Sequence, residues 1–267
     1  MADARGRVLI IGGSDSGGGA GIQADIKTVT ILGGYAATAV TAITVQNTLG
    51  VSAIRMIPAG FVRAQALSVW SDMGADCIKT GVLGTSAVVE AVAELLGTAR
   101  DAPSVVDPVL VATSGQILLS RRGVQALRRL LVPLAFLLTP NADEAAILTG
   151  ASVTNLDELR AAGETLMRMG AAAVLMKGAH LAGETVTDVL MTPAGERRFV
   201  SPRVHSRHTH GTGCTLASAC ATGLAQGLDL EEAVERAWGY TAEAIRRAPG
   251  FGAGHGPIDH GWPVRDR

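Results

Sequence analysis

RVLIIGGSDSGGGAGIQADIKTVTIL, residues 7–32, sets the reading of the whole chain. Residues 7–12 are an apolar run rich in β-branched side chains that ends in glycine, which predicts a first strand. Residues 12–21 form a glycine-rich loop. Ile22, Ile26, Val29 and Leu32 then recur at helical spacing, so a helix follows. Strand, glycine loop, helix is an α/β opening. The glycines do not stand at GxGxxG offsets, so a dinucleotide fingerprint is absent. A GxxxxGK[ST] phosphate loop is absent too, because Lys27-Thr28 and Lys79-Thr80 lack the preceding glycine.

The rest of the chain continues the alternation. Residues 36–46 and 51–57 read as strands, and Pro58 starts a helix, where proline is tolerated. Short apolar runs at 76–79, 104–107, 135–139 and 172–177 end in polar or turn residues, with helices at 86–98, 121–131 and 156–169 among them. This predicts a parallel sheet covered by helices on both faces. Residues 185–191 and 197–200 read as a hairpin or antiparallel edge. Helices follow at 215–226 and 230–247, and the tail beyond Pro249 is irregular. No linker or repeat interrupts the 267 residues, which predicts one domain over 1–267.

Composition narrows the function. The formal net charge is -1, without a block of like charge, and aromatics are only 3%. Neither a nucleic-acid surface nor a membrane surface is indicated. Cys77, Cys214 and Cys220 are odd in number and lack metal spacing, which suits a reducing compartment. No apolar run approaches a membrane span and no signal peptide is evident. The expectation is a soluble cytoplasmic protein.

In a parallel sheet, ligands gather beyond the carboxyl ends of the strands. Gly12, Gln46, Lys79–Gly81, Asp107, Asn141 and Lys177 all stand at such ends. A second glycine turn, HTHGTGCTLASACATG at residues 208–223, opens a late helix. Gly211 and Gly213 let backbone approach a ligand. Free amides at a helix start make an anion site, and that field lowers the pKa of a thiol at Cys214. A buried turn with a packed cysteine is the plainer alternative.

Asn141 and Glu144 have the spacing of a helix capping box. With Asp107 they also offer hard oxygen ligands for Mg²⁺. Lys177 either snorkels to solvent or meets a nucleotide phosphate. Gln46 carries a donor and an acceptor side by side, as an aminopyrimidine edge requires. Asp25 is either a favourable charge near a helix start or a contact for a polar substrate group. His208 and His210 read as turn residues. His255, Asp259 and His260 read as a solvated tail.

Ordered matches along the chain resemble one family. They are IIGGSDSGGGAGIQADIKT (10–28), TAITVQNT (41–48), IKTGVLG (78–84), VVDPV (105–109), LLTPNADEAAILTG (137–150), VLMKGAH (174–180), HTHGTGCTLASACA (208–221) and GAGHGPIDH (252–260). The chain resembles the hydroxymethylpyrimidine/phosphomethylpyrimidine kinases of thiamine biosynthesis, in the ribokinase-like superfamily. The resemblance implies a ribokinase-like three-layer α/β sandwich, with a mostly parallel central sheet. It implies ATP with Mg²⁺, two successive phosphorylations of 4-amino-5-hydroxymethyl-2-methylpyrimidine, and a homodimer. It implies catalytic roles for Cys214, Gly211, Gly213 and Lys177. Gly13, Asp25, Gln46, Val82 and Val109 match the substrate side, and Asn141, Lys177 and Thr212 the nucleotide side. Asn141 and Glu144 match the superfamily's magnesium and phosphate motif, and Asp107, at another strand end, is expected to face the same metal with Glu144. Val82 stands where the family pattern has methionine. The alternatives are a cysteine-type pyridoxal kinase and a non-catalytic pyrimidine-binding protein.

Overall fold

The computed structural model describes residues 6–112 and 115–265. Strand β1 (Arg7–Ser14) is buried over most of its length. Its side chains alternate between two cores: Leu9 and Ile11 join one, Val8 and Ile10 the other. That is the pattern of a central strand with helices on both faces. To one side lie β2 (Tyr35–Asn47) and β3 (Gly50–Met56). To the other lie β4 (Cys77–Thr80), β5 (Ser104–Val106), β6 (Leu137–Leu138), β7 (Val174–Met176), β8 (Thr185–Thr192) and β9 (Gly195–Pro202). Among the described residues these nine strands form one sheet, in the order β3-β2-β1-β4-β5-β6-β7-β8-β9. The six strands from β2 to β7 run parallel. β3 is antiparallel to β2, and β8–β9 is an antiparallel hairpin on β7.

Helices α1 (Gly21–Ile31), α7 (Thr212–Ala225) and α8 (Leu230–Arg246) contribute to the core on one face. Helices α2 (Ala59–Asp72), α3 (Ser86–Thr98), α4 (Arg121–Ala126), α5 (Ala142–Thr149) and α6 (Leu156–Arg168) contribute to the core on the other. This is the three-layer α/β architecture the alternation predicts. Because β1 pairs β2 on one side and β4 on the other, its carboxyl end is a topological switch point. Gly12 and Gly13 stand there, and the register with β2 shifts between them.

Two expectations change. On α1, Ile26 is 38% exposed while Asp25 is fully buried. The inward stripe runs Ile22, Asp25, Val29, so one of its members is a carboxylate. The tail is irregular, but it is docked. The His210 amide donates to the Gly256 carbonyl, His255 N–H to Thr48, and Asp259 N–H to Ala244. His260 lies within 3.0 Å of the Thr215 hydroxyl, and the Tyr240 hydroxyl donates to its carbonyl. These bonds draw His260 inside to 5% exposure. No helix among the described residues is long and apolar enough to cross a membrane.

Burial pushes the His260 ring down to about 4. In the unfolded chain a histidine titrates near 6.5. Between those values the unfolded state binds a proton that the folded state refuses, so stability falls as pH drops through that window. The loss from this group is about 3 kcal/mol. Urea midpoints measured from pH 7 to pH 4 should fall, and in His260→Gln that part of the slope should flatten. An unchanged slope in the variant would assign the acid sensitivity elsewhere.

Candidate active site

The first glycine loop is organised by Asp15. Its carboxylate accepts the amides of Gly17 (2.8 Å), Gly19 (3.0 Å) and Ala20 (2.9 Å). The same carboxylate lies 3.0 Å from His210 Nε2, in the second glycine turn. Burial pushes the Asp15 carboxyl up, but His210 and the loop amides outweigh it and hold it below the usual range. Gly211 closes the contact with φ +87°, and a Cβ there would lie 1.8 Å from the Gly19 carbonyl oxygen. Glycine is therefore required both by conformation and by space.

Helix α7 begins at Thr212, with Gly211 as its cap residue and no side-chain cap. The Thr212 amide donates to the Thr209 carbonyl at 3.2 Å, and the next amides of the turn, beginning with Gly213, are left to a ligand. Cys214 lies in this first turn. Burial pushes its thiol up to about 12, although the Lys79 ammonium and the Gly21 amide act to lower it. The expected lowering by the helix start is overturned: desolvation is the larger effect, and the resting group is a neutral thiol.

A cavity of about 540 Å³ gathers the strand ends and this turn. Gly13, Gln46, Val82 and Val109 line it, as do Asn141, Thr212 and Cys214. So do Asp107, Glu144, Lys177, Gly211 and Gly213. Two groupings stand out within it. In the first, Gly13 faces Val82 and Ala42, which a Cβ would meet at the ordinary contact distances of 3.4 and 3.8 Å. All three line the cavity together with Gln46. In the second grouping, Lys177 Nζ is 3.0 Å from Asp107 and 3.8 Å from Glu144. A Cβ on Gly213 would lie 3.3 Å from that same Nζ. Burial acts to lower Lys177, but Asp107 and Glu144 outweigh it and keep the ammonium charged. Burial raises Glu144 to about 7 against the pull of Lys177. The Asn141–Glu144 capping box is formed at 2.8 and 2.9 Å, so these residues cap α5 and face the cavity together.

Asp25 does not line the cavity. Its carboxylate is sealed beneath, accepting from Lys79 Nζ at 2.8 and 3.0 Å and from the Ser218 hydroxyl at 2.6 Å. It contacts no ligand space, because the inward face of α1 carries it under the floor. Lys79 is equally buried, and the Asp25 charge holds its ammonium up against the burial penalty. Sequence reasoning missed the roles of Asp15, His210 and Lys79. An aspartate two residues before a glycine is a turn signal that points to Asp15. Nothing local points to the other two.

A family model described as phosphomethylpyrimidine kinase matches residues 15–259. The chain belongs to the phosphomethylpyrimidine kinase family. It is a phosphotransferase. A hydroxymethylpyrimidine/phosphomethylpyrimidine kinase of Streptomyces coelicolor is 48% identical over 257 residues, covering 96% of this chain and 95% of that protein. A thiamine biosynthesis bifunctional protein of Geobacter sulfurreducens is 50% identical over 266 residues, covering 98% of this chain. The chain spans only 54% of that longer relative. Among solved structures, a Staphylococcus aureus pyridoxal kinase in complex with AMP-PCP and pyridoxal aligns with TM-score 0.89 and 31% identity. That alignment covers 97% of this chain and 95% of that one.

The buried Lys79–Asp25 pair supports the floor of the cavity. Lys79→Met leaves the Asp25 charge without its partner and should cost about 3–5 kcal/mol in urea unfolding. Lys79→Met combined with Asp25→Leu should recover part of that loss. A single-variant loss below about 1 kcal/mol would show that the pair does not anchor the floor.

Proposed function

We propose that this chain transfers the γ-phosphoryl group of ATP to the hydroxymethyl group of 4-amino-5-hydroxymethyl-2-methylpyrimidine, and then a second phosphoryl group to the resulting monophosphate. The observation that carries the reading is the shared cavity. An amide reader, a thiol, an uncapped helix start and a charged lysine all open onto one space. Gln46 reads the aminopyrimidine edge, with Gly13, Val82 and Val109 against the ring. Lys177 and the amides of Gly211 and Gly213, with Thr212 lining the space between them, hold phosphate oxygens and stabilise charge on the moving group. Asn141 lies on the nucleotide side.

Among the described residues, no group of three or more His, Cys, Asp or Glu side chains forms a metal cage. Mg²⁺ does not need one: it commonly takes one or two carboxylates, with nucleotide phosphates and water completing the shell. Asp107 and Glu144, converging beside Lys177, fit that role and would hold it. When bound with ATP, the ion neutralises phosphate charge.

Cys214 faces the hydroxymethyl group and, once its own proton has been lost to solvent, takes the hydroxyl proton as the thiolate in the first transfer. Lys79 beneath it and the start of α7 favour the thiolate, against the burial that protonates it at rest. The second acceptor is already an anion and needs no base. A pyridoxal kinase of the same fold is a solved relative, so pyridoxal is the competing acceptor. A binding protein without catalysis would have no use for the assembled Lys177 and α7 start. For a homodimer, the exposed side chains of Ile43 (52%), Val45 (61%) and Leu49 (72%) beside the edge strand β3 are the proposed contact.

Incubation with ATP, Mg²⁺ and the hydroxymethylpyrimidine should yield first the monophosphate and then the diphosphate by mass. Turnover of pyridoxal alone would favour the competing acceptor, and tight pyrimidine binding without ATP consumption would favour the non-catalytic one. In single-turnover assays, Cys214→Ala should slow the first transfer by about a hundredfold or more and the second far less. Because the thiol is held up at about 12, the first transfer should also accelerate between pH 7 and pH 10 only where Cys214 is present. Equal losses in both steps would end the base role.

A further inference from the structure

The contact between Gln46 and the second glycine turn holds more information than proximity. The backbone of Gln46 is fixed at both polar groups by one hydroxyl. Its N–H donates to Ser16 Oγ and its carbonyl accepts from the same oxygen, each at 2.8 Å. Only the side chain is left to turn. Its amide nitrogen lies 3.2 Å from His210 Nε2, and its amide oxygen lies 3.3 Å from Thr44 Oγ1.

Proton counting decides what those two neighbours offer. His210 Nε2 also faces the Asp15 carboxylate at 3.0 Å. Asp15 is an ionised acceptor and cannot donate, so Nε2 must carry the hydrogen. A second donor at 3.2 Å is therefore mismatched, and an acceptor belongs there. On the other flank, the Thr44 hydroxyl donates to the Ser14 carbonyl at 2.9 Å, a group that can only accept. Its single hydrogen is spent, so Thr44 Oγ1 presents a lone pair toward Gln46. A donor belongs on that side. Both counts are independent, and both call for the same half-turn of the amide.

We infer that His210 is a positioning and specificity-determining residue: its Nε2–H, shared between Asp15 and the Gln46 carbonyl, pins the amide with its oxygen on the His210 side and its NH₂ on the Thr44 side. The free edge of the amide then shows an acceptor next to His210 and a donor next to Thr44. A ring whose amino group meets the first and whose ring nitrogen meets the second is accepted. A ring with the order reversed meets donor against donor. His210 touches no reacting atom and works through Gln46. The inference rests on the reading of Gln46 as the pyrimidine contact.

The test is a double-variant cycle on the full chain, with the hydroxymethylpyrimidine and ATP each varied. His210→Ala should raise the KM for the pyrimidine about tenfold, the scale of one lost hydrogen bond. The KM for ATP should move less than threefold. His210→Gln, whose amide hydrogens can reach both partners, should restore the pyrimidine KM to within threefold. His210→Ala should add nothing on top of Gln46→Ala, since both remove the same contact. Additive effects, equal rises in both KM values, or no rescue by His210→Gln would overturn the inference. If Gln46→Ala leaves the pyrimidine KM unchanged, the underlying reading fails first and takes the inference with it. If His210→Ala does not fold, a crystal structure of the parent with bound hydroxymethylpyrimidine decides. The exocyclic amino nitrogen should lie on the His210 side of the ring contact, and its placement on the Thr44 side would overturn the assignment.

Discussion

Where the turn at Gly211 meets the loop at Gly19, a β-carbon would lie 1.8 Å from a carbonyl oxygen. This backbone-to-backbone approach joins segments almost two hundred residues apart. It brings the end of β1 and the start of α7 to a single wall. Asp15 secures the join, because one carboxylate takes three amides from its own loop and the His210 ring from the other. A buried carboxylate with so many donors keeps its charge without a salt bridge to lysine or arginine.

Beneath that join lies a second charged device of a different kind. Lys79, Asp25 and Ser218 come from β4, α1 and α7, and meet fully buried from solvent. Breaking such a pair is costly although its net contribution is small. Its value lies in tying three elements together under Cys214. The ammonium also sets a local field on the thiol. Desolvation still wins at rest, so the base role proposed for Cys214 depends on how far the field can offset burial.

Under the proposed function, the charged side of the cavity is arranged for exchange of partners. In the structure Lys177 sits against Asp107 and Glu144. A nucleotide with its cation would bring phosphates for the lysine and positive charge for the carboxylates. The same three side chains satisfy each other in the structure and would satisfy that ligand after binding. On the opposite side, the Gln46 amide is held by neighbours whose proton counts leave it one good orientation.

Much of this was legible in residue order. Apolar runs ending in polar residues gave the parallel sheet, since a strand covered on both faces must be apolar throughout. Strand ends and glycine turns located the cavity, because ligands gather where a parallel sheet reverses its winding. The Asn141–Glu144 spacing gave the capping box, a contact made within four residues. What the order could not give were contacts whose two halves are far apart in the chain. Asp25 looked like a ligand contact until the rotation of α1 turned it under the floor. His210 and His260 looked like turn and tail residues until folding drew each against a partner. The polarity of Cys214 was misjudged for the same reason: a helix start is visible locally, but the depth of burial that opposes it is set by the whole fold.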